Sequence, residues 1–220
     1  MTQMTWREAC AVPARKFWRH GGRWLIGLLV LGLALARGGW AAETALDRYV
    51  AKPDPNYSYR HYHTQERAAY AIYFLEMTSQ QWRSASEVDR PIWTHEVALV
   101  IPRVGLDTTD TAVLVIGGGK NGGTLTTEIN DAVGAAALAT GAVLAIVNQV
   151  PNQPLYFTDE VGIGRKEDEI LAYSLDKALD TGDPEWAVHL AMTKAAVRAM
   201  DTAQEFAASK GVNIENFLVL

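Results

Sequence analysis

VLVIGGGKNGG, residues 113–123, is the stretch on which the fold turns. TAVLVI is a near-continuous apolar run, the pattern of a strand buried on both faces. It runs into a glycine cluster in which Gly117, Gly119 and Gly122 fit G-x-G-x-x-G. Residues 124–140 are alanine-rich with a polar start and read as a helix that stops at Gly141. GAVLAIVNQV (141–150) is a second buried strand. Apolar strands alternating with helices imply a parallel sheet with right-handed crossovers.

Working outward, AYAIYFLEMTSQQW (69–82) and WTHEVALVIP (93–102) read as two strands on either side of a polar turn, an antiparallel leading pair. Residues 42–66 are polar, with Pro53 and Pro55, and read as a surface segment leading in. PNQPLYFTDEVGIG (151–164) is expected to be a loop, and KEDEILAYSLDKALDTG (166–182) a helix. A longer helix starts at Asp183, with Pro184 and Glu185 in its first turn. Met192, Ala196, Ala199, Ala203 and Phe206 form its apolar face, and Gly211 ends it. NFLVL (216–220) opens another apolar run. The expected class is α/β: antiparallel leading strands, then parallel strands with crossover helices. A buried parallel strand with no following helix leaves the sheet incomplete, so 42–220 is expected to be the amino-terminal part of a larger domain.

The glycine loop has three readings. As a dinucleotide site, its glycines would let the backbone approach a pyrophosphate at the amino end of the helix from Thr124. Against this, two strands precede it, and no acid occurs between Asp131 and Asp159, where the ribose partner belongs. A P-loop is excluded because Asn121, not Ser or Thr, follows Lys120. As an oxyanion loop, the turn would offer backbone N–H groups from Gly118, Gly119, Lys120 and Asn121 at the carboxyl edge of the sheet. The third reading is a tight turn with no chemical role.

Other candidates are fewer. Asn148, Gln149, Asn152 and Gln153 follow the fourth strand, at the edge where α/β sheets bind ligands; the bland reading is a polar turn around Pro151 and Pro154. His61 and His63, two apart on a strand, would share a face, but no third or fourth metal ligand is evident. His95 and His189 read as packing or surface residues, and Glu167, Asp168 and Glu169 as helix-start charges. Ser58, Ser79, Ser84, Ser86, Ser174 and Ser209 do not sit on a strand-to-helix glycine elbow. No cofactor and no metal are expected.

The head of the chain differs from the body. Of 20 basic and 25 acidic residues, six basic and one acidic fall in 1–41, leaving 14 against 24 beyond it. An acidic body repels phosphates, so no nucleic-acid partner is expected. A charged segment, Arg15 to Arg23, precedes the 13-residue apolar run WLIGLLVLGLALA (24–36). Gly39 and Ala41 then place small residues at −3 and −1 of a cut before Ala42. This is the pattern of a secretory signal peptide, and the run is shorter than the roughly 18 residues of a membrane span. A secreted or periplasmic body without a stable membrane anchor is expected. Cys10, the only cysteine, lies in the removed segment, so disulfides, thiolate metal sites and a cysteine nucleophile are excluded from the remainder.

Several ordered motifs resemble the PhoPQ-activated pathogenicity-related proteins: WTHEVALVIP, IGGGKNGG, VNQVPNQPLYF (147–157), EDEILAYSLDKAL (167–179), GDPEWAVHLAMTKAAVRAMD (182–201) and NIENFLVL (213–220). The resemblance runs across most of 44–220. It implies a secreted or periplasmic α/β-hydrolase-fold protein linked to bacterial virulence, with a eukaryotic branch of secreted proliferation repressors. It implies serine-type ester or amide hydrolysis of an unidentified small-molecule or peptide substrate. It also implies a nucleophile after the strand at 216–220, beyond Leu220, so that no catalytic serine, acid or base falls in this chain. The alternative is a secreted signalling or binding protein on the same scaffold without catalysis.

Overall fold

The computed structural model describes residues 42–106 and 110–220. The signal peptide expected at 1–41 lies outside them. Among the described residues no helix is long and apolar enough to cross a membrane.

The sheet starts earlier than the sequence suggests. Thr44 and Asp47 form a capping box that opens α1 (Ala45–Ala51). After the Pro53–Pro55 turn the chain enters β1 (Ser58–Glu66). The surface lead-in expected over 42–66 is therefore a helix and an edge strand. The strand escaped notice because its outer face is solvated and its sequence is polar. β1 pairs antiparallel with β2 (Tyr70–Gln81), and β2 with β3 (Ile92–Pro102). β4 (Thr111–Ile116) and β5 (Leu144–Val147) are parallel to each other, and β5 lies antiparallel against β3. β8 (Asn216–Val219) is parallel to β4 on its other side. The result is a mixed six-stranded sheet in the order β1-β2-β3-β5-β4-β8. The glycine cluster thus follows the fourth strand rather than the third.

Strand alternation sends side chains to two cores. Leu75, Met77, Val97, Leu99 and Ile101 face one side, under α3 (Asp168–Thr181) and α4 (Val188–Ser209). Ala191, Ala195, Ala199 and Ala203 give α4 a buried face of small residues, which lets its backbone approach the sheet. Tyr70, Ile72, Phe74, Ala98 and Val100 face the other side, where Ala137 of α2 (Asp131–Thr140) packs. Asp183 caps a 3-10 turn, Pro184–Trp186, so the long helix expected from Asp183 is a short turn followed by α4. The loop expected at 151–164 contains a two-stranded ribbon, β6 (Leu155–Tyr156) with β7 (Gly164–Arg165).

One correction bears on the site. The helix expected over 124–140 starts only at Asp131, with Asn130 as its cap. Residues 124–130 are held extended by side chains from the sheet. Both oxygens of Glu96 bond Thr126, at its N–H (3.0 Å) and its hydroxyl (2.8 Å). Tyr62 donates to the Thr126 carbonyl at 2.7 Å. Gln65 brackets Ile129, accepting from its N–H and donating to its carbonyl. The backbone groups that a helix would use are occupied, which overrides the local propensity.

Candidate functional site

β4 delivers the glycine loop to the carboxyl edge of the sheet. From there α2 leads to β5 on one side, and the later helices return the chain to β8 on the other. A strand flanked by connections leaving in opposite directions marks the crevice where open α/β sheets bind ligands. The loop first prolongs the β4–β5 pairing: Gly117 N–H donates to the Val147 carbonyl (2.7 Å), and the Gly117 and Gly118 carbonyls accept from Val150 and Gln149. It is then pinned by Asn121, whose N–H donates to the Gln153 carbonyl at 2.6 Å and whose side-chain amide donates to Pro154. Between these anchors the exposed N–H groups of Gly118, Gly119 and Lys120 have no acceptor among the described residues. Asn121, expected among the oxyanion donors, is removed from that set because its N–H is spent on Gln153.

Each glycine in this turn is next to a particular side chain. The place of a Cβ on Gly117 is 2.7 Å from Asn148 Oδ1; on Gly118, 3.6 Å from Glu167 Oε1; on Gly119, 3.4 Å from Gln149 Cγ. Gly119 also has φ +143°, which L side chains rarely adopt. Gln149 (φ 58°) and Glu167 (φ 43°) are themselves non-glycine residues in the left-handed region. Two such residues at one loop mark a place where surrounding structure enforces an unfavourable backbone.

The four polar residues after β5 divide into two kinds. Asn152 is 2% exposed and fully engaged with Thr94 N–H, Thr94 carbonyl and Gln149 carbonyl. It completes the backbone of β3 and does not face a ligand. Gln153 is 5% exposed; it donates to Glu167 Oε1 and accepts from the Glu167 N–H at 2.8 Å. Gln149 accepts from Glu96 N–H at 2.7 Å. Only the Asn148 side-chain amide makes no hydrogen bond among the described residues.

A cleft of about 210 Å³ lies beside the loop, with Arg90, Glu96, Lys120, Leu125 and Gln149 in its walls. His95 reaches its floor but is 2% exposed. Burial drives its pKa down to about 4, against hydrogen bonding at Asn148 and Gln149. The ring is neutral: Nδ1–H donates to the Asn148 carbonyl (3.0 Å), and Nε2 accepts from Ser79 Oγ (2.9 Å). Ser79 is the extra residue of a β-bulge in β2 and is fully buried. A serine and histidine at this distance have the spacing of an activated nucleophile. Without access to substrate, the pair instead locks the bulge to the end of β5. The sequence missed this pairing, although alternation along β3 puts His95 on the face of Val97 and Leu99. It also missed Glu167, for which no local signal exists.

His61 and His63 do not share a face. A bulge at Tyr62 turns His61 onto Tyr73 and Phe206, and His63 onto Phe74. Among the described residues no group of three or more His, Cys, Asp or Glu is placed to hold a metal ion. His189 lies in the first turn of α4.

Comparison with known proteins follows from this geometry. A family model described as PhoPQ-activated pathogenicity-related protein matches residues 46–220. Autocrine proliferation repressor protein A of Dictyostelium discoideum is 36% identical over 196 residues, 89% of this chain and 38% of that protein. The chain thus spans well under half the length of that curated relative. Among solved structures, a candidate acetyl xylan esterase from Bacteroides fragilis aligns at 11% identity and TM-score 0.44, over 80% of this chain and 44% of that one. That likeness is too distant to carry an argument about fold or activity.

Proposed function

The chain belongs to the PhoPQ-activated pathogenicity-related protein family, and from that premise we propose that its glycine loop is the oxyanion-binding element of a serine-type hydrolase. The reading rests on one observation: the N–H groups of the exposed residues Gly118, Gly119 and Lys120 have no acceptor among the described residues, between anchors that fix the loop at both ends. Such preorganised donors stabilise the tetrahedral oxyanion of ester or amide cleavage without reorganising during the reaction. The sheet order supports the same reading, because it brings the carboxyl end of β8 beside that of β4. A serine delivered just after β8 would approach the loop. The serines of this chain do not take that role. Ser79 is buried against His95, and Ser174 is buried under α4, where it accepts from the Val188 N–H. We place the protein in the secreted or periplasmic space, with a small-molecule or peptide substrate and a link to virulence, on the leader read in 1–41 and the family.

The test is made on the complete protein with p-nitrophenyl acetate as substrate and a fluorophosphonate as active-site label. Alanine keeps the N–H, but at φ +143° its Cβ forces the backbone to shift and turns the donor off the oxyanion, so Gly119→Ala is expected to lower kcat by about 10²-fold, the size of one misaimed oxyanion donor. An unchanged kcat in a folded Gly119→Ala protein, or no labelling of the wild type, removes the reading.

A second reading is a binding or signalling protein on this scaffold. It is favoured by Glu167, whose carboxylate lies against Gly118 and would repel an oxyanion held there. The relative's name, a proliferation repressor, points the same way.

A further inference from the structure

We propose that the cleft between α1, the Pro53–Asn56 turn and the end of β2 binds a small oxyanion, a carboxylate or phosphate group, on Lys194 and Arg83. The cleft holds about 310 Å³ and shares no lining residue with the one beside the glycine loop. Its volume is that of a small-ligand pocket.

Lys194 projects from α4 into this cleft and is 3% exposed. Its ammonium has three N–H donors. One goes to the Lys52 carbonyl at 2.7 Å, and the Tyr49 ring lies 5.1 Å away. No carboxylate among the described residues pairs with it. Asp54 lines the same cleft, but its oxygens are taken: Oδ1 by the Asn56 N–H and side-chain amide, Oδ2 by the Gln81 N–H. Glu185 is the other acid, and it faces Lys52 at 3.7 Å. Burial lowers the Lys194 pKa from the usual lysine range; Asp54 opposes this, Arg198 and Lys52 reinforce it, and Glu185 opposes it. A buried cation whose nearest carboxylates stand outside ion-pair distance is only partly compensated, and an anion bound in direct contact completes the compensation.

Arg83 provides the second donor. Its terminal nitrogens are fixed on Asp183 (2.7 Å) and Glu87, and its guanidinium carbon stacks 4.1 Å from the Trp186 ring centroid. Its Nε–H is buried with no acceptor among the described residues. The backbone at Arg83 is left-handed, φ 64°, so the residue is held in place at a conformational cost. Lys194, with ammonium donors to spare, and Arg83 thus line one cleft. An anionic group held there faces both cations.

The full chain is titrated with sodium phosphate and with sodium acetate, against sodium chloride at matched ionic strength, by calorimetry and thermal melting. The expected result is saturable binding of one of the two, with a rise in Tm that chloride does not reproduce. Saturation by phosphate alone identifies a phosphate ester as the ligand class, and by acetate alone a carboxylate. Lys194→Met, which keeps the apolar stem, is expected to weaken binding at least tenfold. A second readout needs no variant: saturating anion should slow reductive methylation of Lys194 at least fivefold while leaving Lys210 unaffected. Neither anion saturating beyond chloride overturns the proposal. So does binding that leaves Lys194 equally reactive or that survives Lys194→Met unchanged.

Discussion

Asn148 Oδ1 lies 2.7 Å from the point that a Cβ on Gly117 would occupy. A side chain at 117 therefore meets that oxygen whether or not a ligand is bound. Gly117→Ala forces the Asn148 amide aside and is expected to destabilise the protein by about 1 kcal/mol, the low end for overpacking, because that half-buried amide can turn away. Asn148→Ala removes the obstacle. Urea unfolding of both single variants and the double should show a coupling of the same sign, with the double nearly as stable as Asn148→Ala alone. Strict additivity would mean that the amide swings away at no cost and that another contact requires the glycine.

Glu96 keeps residues 124–130 out of the helix, and its carboxylate takes two bonds from Thr126. Hydrogen bonds to a charged group contribute about 1.5–3 kcal/mol each, and a double loss is partly offset by solvation. Glu96→Ala is expected to cost about 2–3 kcal/mol in total. The Thr126 amide should lose its hydrogen-exchange protection, while β2 and β3 keep theirs. Protection at Thr126 that survives the substitution would show that the segment is held by Tyr62 and Gln65 alone.

His95 makes stability depend on pH. Its pKa is about 4 in the folded protein against 6.5 for an ordinary imidazole, so below 6.5 the unfolded chain binds a proton that the folded one does not. Stability is then whole above pH 6.5 and declines as pH falls toward 4. At about 1.4 kcal/mol per unit, the loss is roughly 2 kcal/mol between pH 6.5 and 5. His95→Gln should remove that part of the slope, even if it lowers stability at pH 7. Denaturant midpoints of both proteins at pH 5 and pH 7 test this, and parallel slopes would contradict a buried neutral ring.

The legible parts of the fold are those that local pattern determines. TAVLVI and GAVLAIV announce strands because one face is buried and the other half-buried, which leaves little place for polar residues. The 188–209 helix shows in its spacing of alanines. Residues 58–66 stay hidden because an edge strand keeps a solvated face. Residues 124–130 stay hidden because the side chains holding them, Glu96 and Gln65, lie 30 and 64 residues away in sequence. The site divides the same way. Glycines at 117–119 mark a turn that needs bare backbone. Which amides remain free depends on Gln153, whose carbonyl takes Asn121 out of the set. Glu167 reads as an ordinary helix-start charge until its side chain is found beside Gly118.

Glu167 separates the two functional readings. Its Oε1 accepts from Gln153 and lies 3.6 Å from the Cβ position of Gly118. A glutamine there can keep that bond through its carbonyl oxygen while removing the charge. If Gly118 to Lys120 hold a developing oxyanion, the carboxylate opposes it. For an exposed group a few ångströms away that opposition is about 1 kcal/mol. Glu167→Gln is then expected to raise kcat of the complete protein on p-nitrophenyl acetate by roughly fivefold, with the gain shrinking at low salt only if other charges dominate. If the loop instead serves binding, the carboxylate is part of what the partner recognises, and the same change leaves any esterase rate untouched. A fall in kcat of tenfold or more would contradict both expectations. It would assign Glu167 to the reaction itself, as a group that positions substrate or moves a proton.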